Sequence, residues 1–154
     1  MKHLLFGLLL LFCVSAKGIE VTHGPWICDM DSTGATIVWV TDKPGLSWVE
    51  IAPEGKDHFY GKVRPRYYDV LAGRKLLTDS VHRVRVTGLK PDSRYRYRVF
   101  TQQVDEWRYD DWVSLGKTAY TDVWKGKPYE FTTYPVKPRE ITFLVLNDIH
   151  ERPQ

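Results

Sequence analysis

Cysteine is nearly missing from this chain: there are two, and Cys13 lies in an apolar amino-terminal run, so only Cys28 belongs to the remainder. A lone cysteine excludes an intramolecular disulfide, and the core must hold without one. A Gly-rich phosphate loop, a Cys-x-x-Cys pair and a Ser-His-Asp arrangement are also lacking. Their absence removes the sequence signals of P-loop nucleotide binding, of thiol redox or zinc-ribbon sites and of triad hydrolysis. Charge of one sign is scarce: 22 Lys and Arg against 19 Asp and Glu leave a formal net charge of +3. That excess is too small for the strongly basic footprint of a nucleic-acid binder. No apolar stretch reaches the roughly 20 residues that cross a bilayer.

The start of the chain reads as an export signal. Lys2 and His3 form a short basic segment, Leu4 to Val14 is apolar, and Val14-Ser15-Ala16 supplies the small residues that signal peptidase requires. The flanks fit cleavage after Ala16 rather than a permanent anchor. Lipidation at Cys13 is disfavoured because Phe12 occupies the place of a small residue. Removing residues 1–16 takes away the single formal charge of Lys2, leaving 138 residues with net charge +2. That length suits one domain, or one domain and part of another. The expected location is the periplasm or the cell exterior, with no membrane span after cleavage.

Aromatic residues are plentiful, with six Trp, nine Tyr and six Phe, and they suit an unstapled core. After residue 16 no helical period of apolar residues appears; short period-two runs separated by Gly, Pro, Asp and Ser dominate. Ile19 to Met30 reads as a strand interrupted at Gly24-Pro25. Ala35 to Thr41 follows, with Ala35, Ile37 and Trp39 on one face, and then Ser47 to Ala52 with Val49 and Ile51 inward. Tyr67 to Leu71 and Lys75 to Thr78 read as short edge strands around Gly73. In Val81 to Leu89, Val84 and Val86 face in while Arg83 and Arg85 face out. Arg94 to Gln103 places Tyr95, Tyr97 and Val99 on one side and Arg94, Arg96 and Arg98 on the other. A long polar and aromatic loop is expected next, and Pro128 to Tyr134 closes the set.

Seven or so such strands predict an all-β sandwich over residues 17–134. The run Gly88-Leu89-Lys90-Pro91-Asp92-Ser93-Arg94-Tyr95 resembles the corner of fibronectin type III domains. The resemblance makes Tyr95 the corner tyrosine, its hydroxyl returning to backbone a few residues upstream.

Residues 135–140 read as a linker, because Pro135 and Pro138 donate no ladder hydrogen bonds. Ile141-Thr142-Phe143-Leu144-Val145-Leu146 has the nearly continuous hydrophobicity of a strand buried on both faces, as in an α/β sheet. Asn147-Asp148-Ile149-His150 comes directly after it. Ligand sites gather at the carboxyl ends of such strands. An Asp and a His two apart combine an oxygen donor with an imidazole, a set suited to Zn, Fe or Mn.

A fibronectin-like domain followed by this strand and motif resembles the calcineurin-like metallophosphoesterases, particularly the purple-acid-phosphatase-like members with an N-terminal fibronectin-like domain. Val81-His82-Arg83-Val84-Arg85-Val86-Thr87-Gly88-Leu89-Lys90-Pro91 looks like the equivalent stretch of those N-terminal domains. The resemblance implies Asp148 and His150 as metal ligands of a dinuclear Fe, Zn or Mn site, a phosphoester substrate, and an intramolecular partner in the catalytic domain. Purple acid phosphatases proper carry Gly-Asp-x-Gly here, so Asn147-Asp148-Ile149-His150 is closer to the general calcineurin-like form. The family's later motifs do not occur in the chain. The expectation is therefore a portion truncated after the first metal motif, containing no catalytic residue of its own, inactive and binding no metal tightly.

Two features invite other readings. Trp107, Tyr109, Trp112, Tyr120 and Trp124 suit either a sugar-stacking platform or packing on the sandwich or a second domain, and packing is preferred. The rows Arg83/Arg85 and Arg94/Arg96/Arg98 are expected on different sheets, pointing away from each other as ordinary solvated faces, and nucleic acid is not expected as a partner. His23, His58 and His82 read as structural or surface residues. The rival function is a self-sufficient fibronectin-type binding or adhesion module for carbohydrate or protein ligands.

Overall fold

The computed structural model describes residues 17–107, 112–121, 127–137, 140, 142, 144 and 145. The strands are β1 (Val21–Cys28), β2 (Ala35–Thr41), β3 (Gly45–Pro53), β4 (Arg66–Tyr68), β5 (Val70–Leu71), β6 (Arg74–Lys75), β7 (Val81–Val86), β8 (Arg94–Trp107), β9 (Val113–Tyr120) and β10 (Tyr129–Thr132). One turn of 3-10 helix, Phe59–Gly61, is the sole helical element among the described residues, so none is long and apolar enough to cross a membrane. The order β1-β2-β7 makes one sheet. The second has β3 between β4 and β8, with β9 and β10 both paired to the far edge of β8. This is an all-β, fibronectin type III-like sandwich: the period-two pattern predicts the sandwich, and the resemblance of the run from Gly88 to Tyr95 implies the fibronectin likeness.

The alternation in sequence becomes the core directly. Ile37 and Trp39 on β2, Val49 on β3, Val84 on β7 and Val99 on β8 are wholly buried between the sheets. Each buried aliphatic side chain contributes about 1.5–3 kcal/mol relative to exposure. The polar atoms admitted to this layer are paired: the Trp39 indole N–H donates to Thr101 Oγ1 at 2.9 Å, and Ser47 Oγ lies 2.9 Å from the same oxygen. β1 pairs with β2 through two register shifts on either side of His23. Pro25 lies in the second of these and has no N–H to give the ladder.

His82 is buried beside Trp39, its ring centroid 5.2 Å from the indole and its Nε2 2.8 Å from Thr41 Oγ1. Burial pushes its pKa down to about 4, with Asp79 opposing the shift. Asp69, also buried, joins the two sheets. Its backbone N–H donates to Ser47 of β3, and its carboxylate accepts the Arg83 N–H of β7 at 2.9 Å. Burial raises the Asp69 pKa, and the hydrogen bond from Arg83 works against that rise. The contact also occupies a donor on the open edge of β7, which would otherwise invite another strand.

The expected long loop after residue 103 is corrected. β8 continues to Trp107, and β9 pairs back along it from Trp107↔Val113 to Phe100↔Tyr120. β9 escapes a period-two reading because only Ala119 of its eight residues is buried, and Gly116 adjoins two register shifts. β10 then takes up the lower part of the same edge, Tyr129↔Tyr97 to Thr132↔Arg94.

Candidate functional site

The expected corner is present. Gly88 and Asp92 take positive φ values of 74° and 47°, and the Tyr95 hydroxyl accepts the Lys90 N–H at 2.9 Å. Thr133 completes this end of the sandwich. Its buried hydroxyl donates to the Lys90 carbonyl at 2.6 Å and accepts the Ser93 N–H at 3.1 Å. The next residue, Tyr134, donates its N–H to the Asp31 carbonyl at 3.1 Å. The chain therefore leaves the sandwich from a point tied to both sheets: Asp31 precedes β2, and Ser93 precedes β8.

The outer face of the five-stranded sheet departs from expectation. Arg83 and Arg85 do lie on a different sheet from Arg94, Arg96 and Arg98. Arg96 and Arg98, however, are not solvated: they are 5% and 3% exposed. The segment between β3 and β4, residues 54–65, folds over them. A buried guanidinium requires acceptors for its donors, and for Arg96 they come from Pro53 and from Asp57 of this segment. Arg96 donates to the Pro53 carbonyl (3.1 Å), the Asp57 carbonyl (2.8 Å) and Asp57 Oδ1 (2.6 Å). Arg64 donates to Asp57 Oδ2 at 2.6 Å and to the Phe59 carbonyl at 2.8 Å. Lys62 stands 3.9 Å from the same carboxylate. The hydrogen bonds from Arg64 and then Arg96 hold the Asp57 carboxyl well below the usual carboxylate range. Arg98 donates to the Thr121 carbonyl and lies 5.0 Å from the ring centres of Phe59 and Tyr60.

Beside this cluster a row of aromatics crosses four strands in register: Tyr68 on β4, Trp48 on β3, Phe100 on β8 and Tyr120 on β9. Successive ring centres are 6.2, 5.2 and 6.3 Å apart. Trp48 and Phe100 lie parallel within 4° and are each only 8% exposed, so this pair presents no open ring face for a sugar. Arg66 sits over Trp48 at 5.2 Å while donating to Glu50 at 2.9 Å. Cross-strand aromatic and cation–π pairs of this kind stabilise a sheet face.

Of the five aromatics expected in the loop, Trp107, Trp112 and Tyr120 are about half exposed along the β8–β9 hairpin, and Tyr109 and Trp124 lie outside the described residues. Asp148 and His150 also lie outside them, as does the 1–16 segment. Among the described residues no group of three or more His, Cys, Asp or Glu could hold a metal ion. Of the apolar run 141–146, Thr142, Leu144 and Val145 are described; they belong to no strand and are exposed, Leu144 at 78% and Val145 at 75%. His82 is structural, and His23 and His58 are at the surface. The Asp57 cluster escaped the sequence reading; its only signal is a polar stretch, Glu54-Gly55-Lys56-Asp57-His58, opposite a strand rich in arginine.

The family model of the purple acid phosphatase N-terminal domain matches residues 26–133, which is 108 of the 154 residues. The chain belongs to this family. The match begins within β1 and ends at Thr133, the residue that pins the chain exit. As a purple acid phosphatase N-terminal domain, the sandwich points to a phosphatase parent, a class whose complete members carry a dinuclear metal site. No curated protein matches the chain.

Proposed function

We propose that this chain is the amino-terminal part of an exported, metal-dependent phosphoesterase, with residues 1–16 as the export signal, 17–134 as the sandwich, 135–140 as a linker and 141–154 as the start of a calcineurin-like catalytic domain. The match to the purple acid phosphatase N-terminal domain carries this reading. In the complete protein, Asp148 and His150 hold one ion of a Zn, Fe or Mn pair, their oxygen and imidazole donors being the type those metals take. Held there, the ions would supply an activated water and a Lewis acid for the phosphoryl oxygen of a phosphoester. The sandwich contributes support. The bonds of Thr133 and Tyr134 give the following residues a rigid starting point. The exposed apolar side chains of Leu144 and Val145 find their cover in the neighbouring strands of the catalytic domain.

Expression of the uninterrupted reading frame through and beyond Gln154 tests the proposal. The expected product contains Gly-Asp-x-x-Asp and Gly-Asn-His motifs, binds two metal ions and hydrolyses a phosphoester dye. Asp148→Asn should lower the metal content measured by plasma mass spectrometry as well as the rate. A frame without those motifs, or an Asp148→Asn protein with full metal content and activity, would refute it.

A further inference from the structure

The covering segment 54–65 has a hollow on each side. One, of about 540 Å³, is lined by Glu50, Tyr60, Lys62, Val63, Arg64, Arg66 and Phe100. The other, of about 280 Å³, is lined by Lys56, Asp57, His58, Phe59, Arg96, Arg98, Lys127 and Pro128. Asp57, in the lining of the second, links the two, because its carboxylate oxygens take one arginine from each, Arg64 and Arg96. Leaving aside Arg98, which is packed against Phe59 and Tyr60, six cations of the two linings stand against two carboxylates among the described residues. The full chain has a net charge of only +3, so the positive excess is concentrated on this face. Both carboxylates are already engaged, Glu50 by Arg66 and Asp57 by two guanidiniums. Lys56 and Lys127 remain as long, exposed cations, and Lys62, also exposed, stands 3.9 Å from the Asp57 carboxylate.

We propose that this face binds a ligand carrying two or more linked oxyanion groups, phosphate or sulfate, one in each hollow. Charge selects an anion, and the doubled hollow selects more than one group. The donors of Arg64 and Arg96 are committed to Asp57 and to backbone carbonyls, so the two guanidiniums supply fixed positive charge beneath the hollows while the exposed lysine ammonium groups make the direct contacts to the oxyanions. A positive excess of this small size suits a short polyanion better than a long duplex. The inference stands apart from the phosphoesterase reading, because it concerns the sandwich and not Asp148 or His150.

The test is calorimetric titration of the full chain at low salt with inorganic tripolyphosphate, a sulfated hexasaccharide, inorganic phosphate and a short DNA duplex, with NMR observation of the arginine side-chain N–H signals. Tripolyphosphate or the hexasaccharide should bind, weaken with added salt, and shift Arg64 and Arg96; whichever binds more tightly identifies the source of the oxyanions. Lys56→Gln with Lys127→Gln should lower the affinity roughly ten-fold. A control removing the same charge elsewhere, Arg83→Gln with Lys90→Gln, should leave it unchanged. Binding of neither polyanion, equal binding of single phosphate, equal binding of DNA, or equal loss in the control would overturn the proposal.

Discussion

His82 makes stability depend on pH in a calculable way. In the unfolded chain its imidazole titrates at the ordinary 6.5, whereas burial against Trp39 pushes the folded value down to about 4. Between those values the unfolded state binds more protons, so the contribution of His82 is fully present above pH 6.5 and is lost as pH falls towards 4. Each pKa unit corresponds to about 1.4 kcal/mol. Lowering the pH from about 8 to about 4.5 should therefore remove roughly 2–3 kcal/mol, about half of it already gone near pH 5.5. Asp69 acts with the opposite sign, because burial raises its folded pKa and its contribution fades as pH rises. For that reason the comparison is made between proteins and not between pH values alone. Urea unfolding of the native chain and of His82→Gln, followed by tryptophan fluorescence across this range, isolates the term. The variant starts less stable but should lose less on acidification by about the amount calculated. An equal pH slope in both proteins would refute the reasoning. So would an NMR titration of the His82 ring with a midpoint near 6.5.

Tyr95→Phe should lower stability by about 1–2 kcal/mol in urea unfolding, since it leaves the Lys90 N–H without the hydroxyl that now accepts it. The turn between β5 and β6 has positive φ at both central residues, Ala72 at 49° and Gly73 at 78°. Ala72→Asn should therefore raise stability by about 0.5–1 kcal/mol, because asparagine tolerates that conformation better than alanine; an unchanged or lower midpoint in the same assay counts against this. If residues 1–16 direct export, the protein recovered from the periplasm or medium should begin at Lys17, as read by mass spectrometry of the intact chain.

Much of the sandwich is legible in the sequence because its signal is local. Ala35, Ile37 and Trp39 alternate on β2 without interruption, and the spacing from Leu89 through Pro91 to Tyr95 marks a corner whose chemistry needs only those few residues. β9 is legible only with its partner in place. Its residues are mostly half-buried or exposed, and its strand character comes from hydrogen bonds to β8. Arg96 and Arg98 show the limit of alternation as a guide. Period two says which side of the sheet they occupy, but not that residues 54–65 will cover that side, and a charged row covered by its own loop reads the same as one facing water. Asp148 and His150 are legible as donor chemistry alone, since a ligand set is completed by residues distant in sequence.

The corner at Thr133 also has a mechanical consequence. Force applied to the chain after Tyr134 does not peel β10 from the sheet edge one pair at a time. It arrives first at a short bracket made by Lys90, Ser93 and Asp31, and from there divides between the two sheets. A body attached at Tyr134 thus pulls on the sandwich as a whole, and its angle to the sandwich is governed by the few rotatable bonds that follow the bracket.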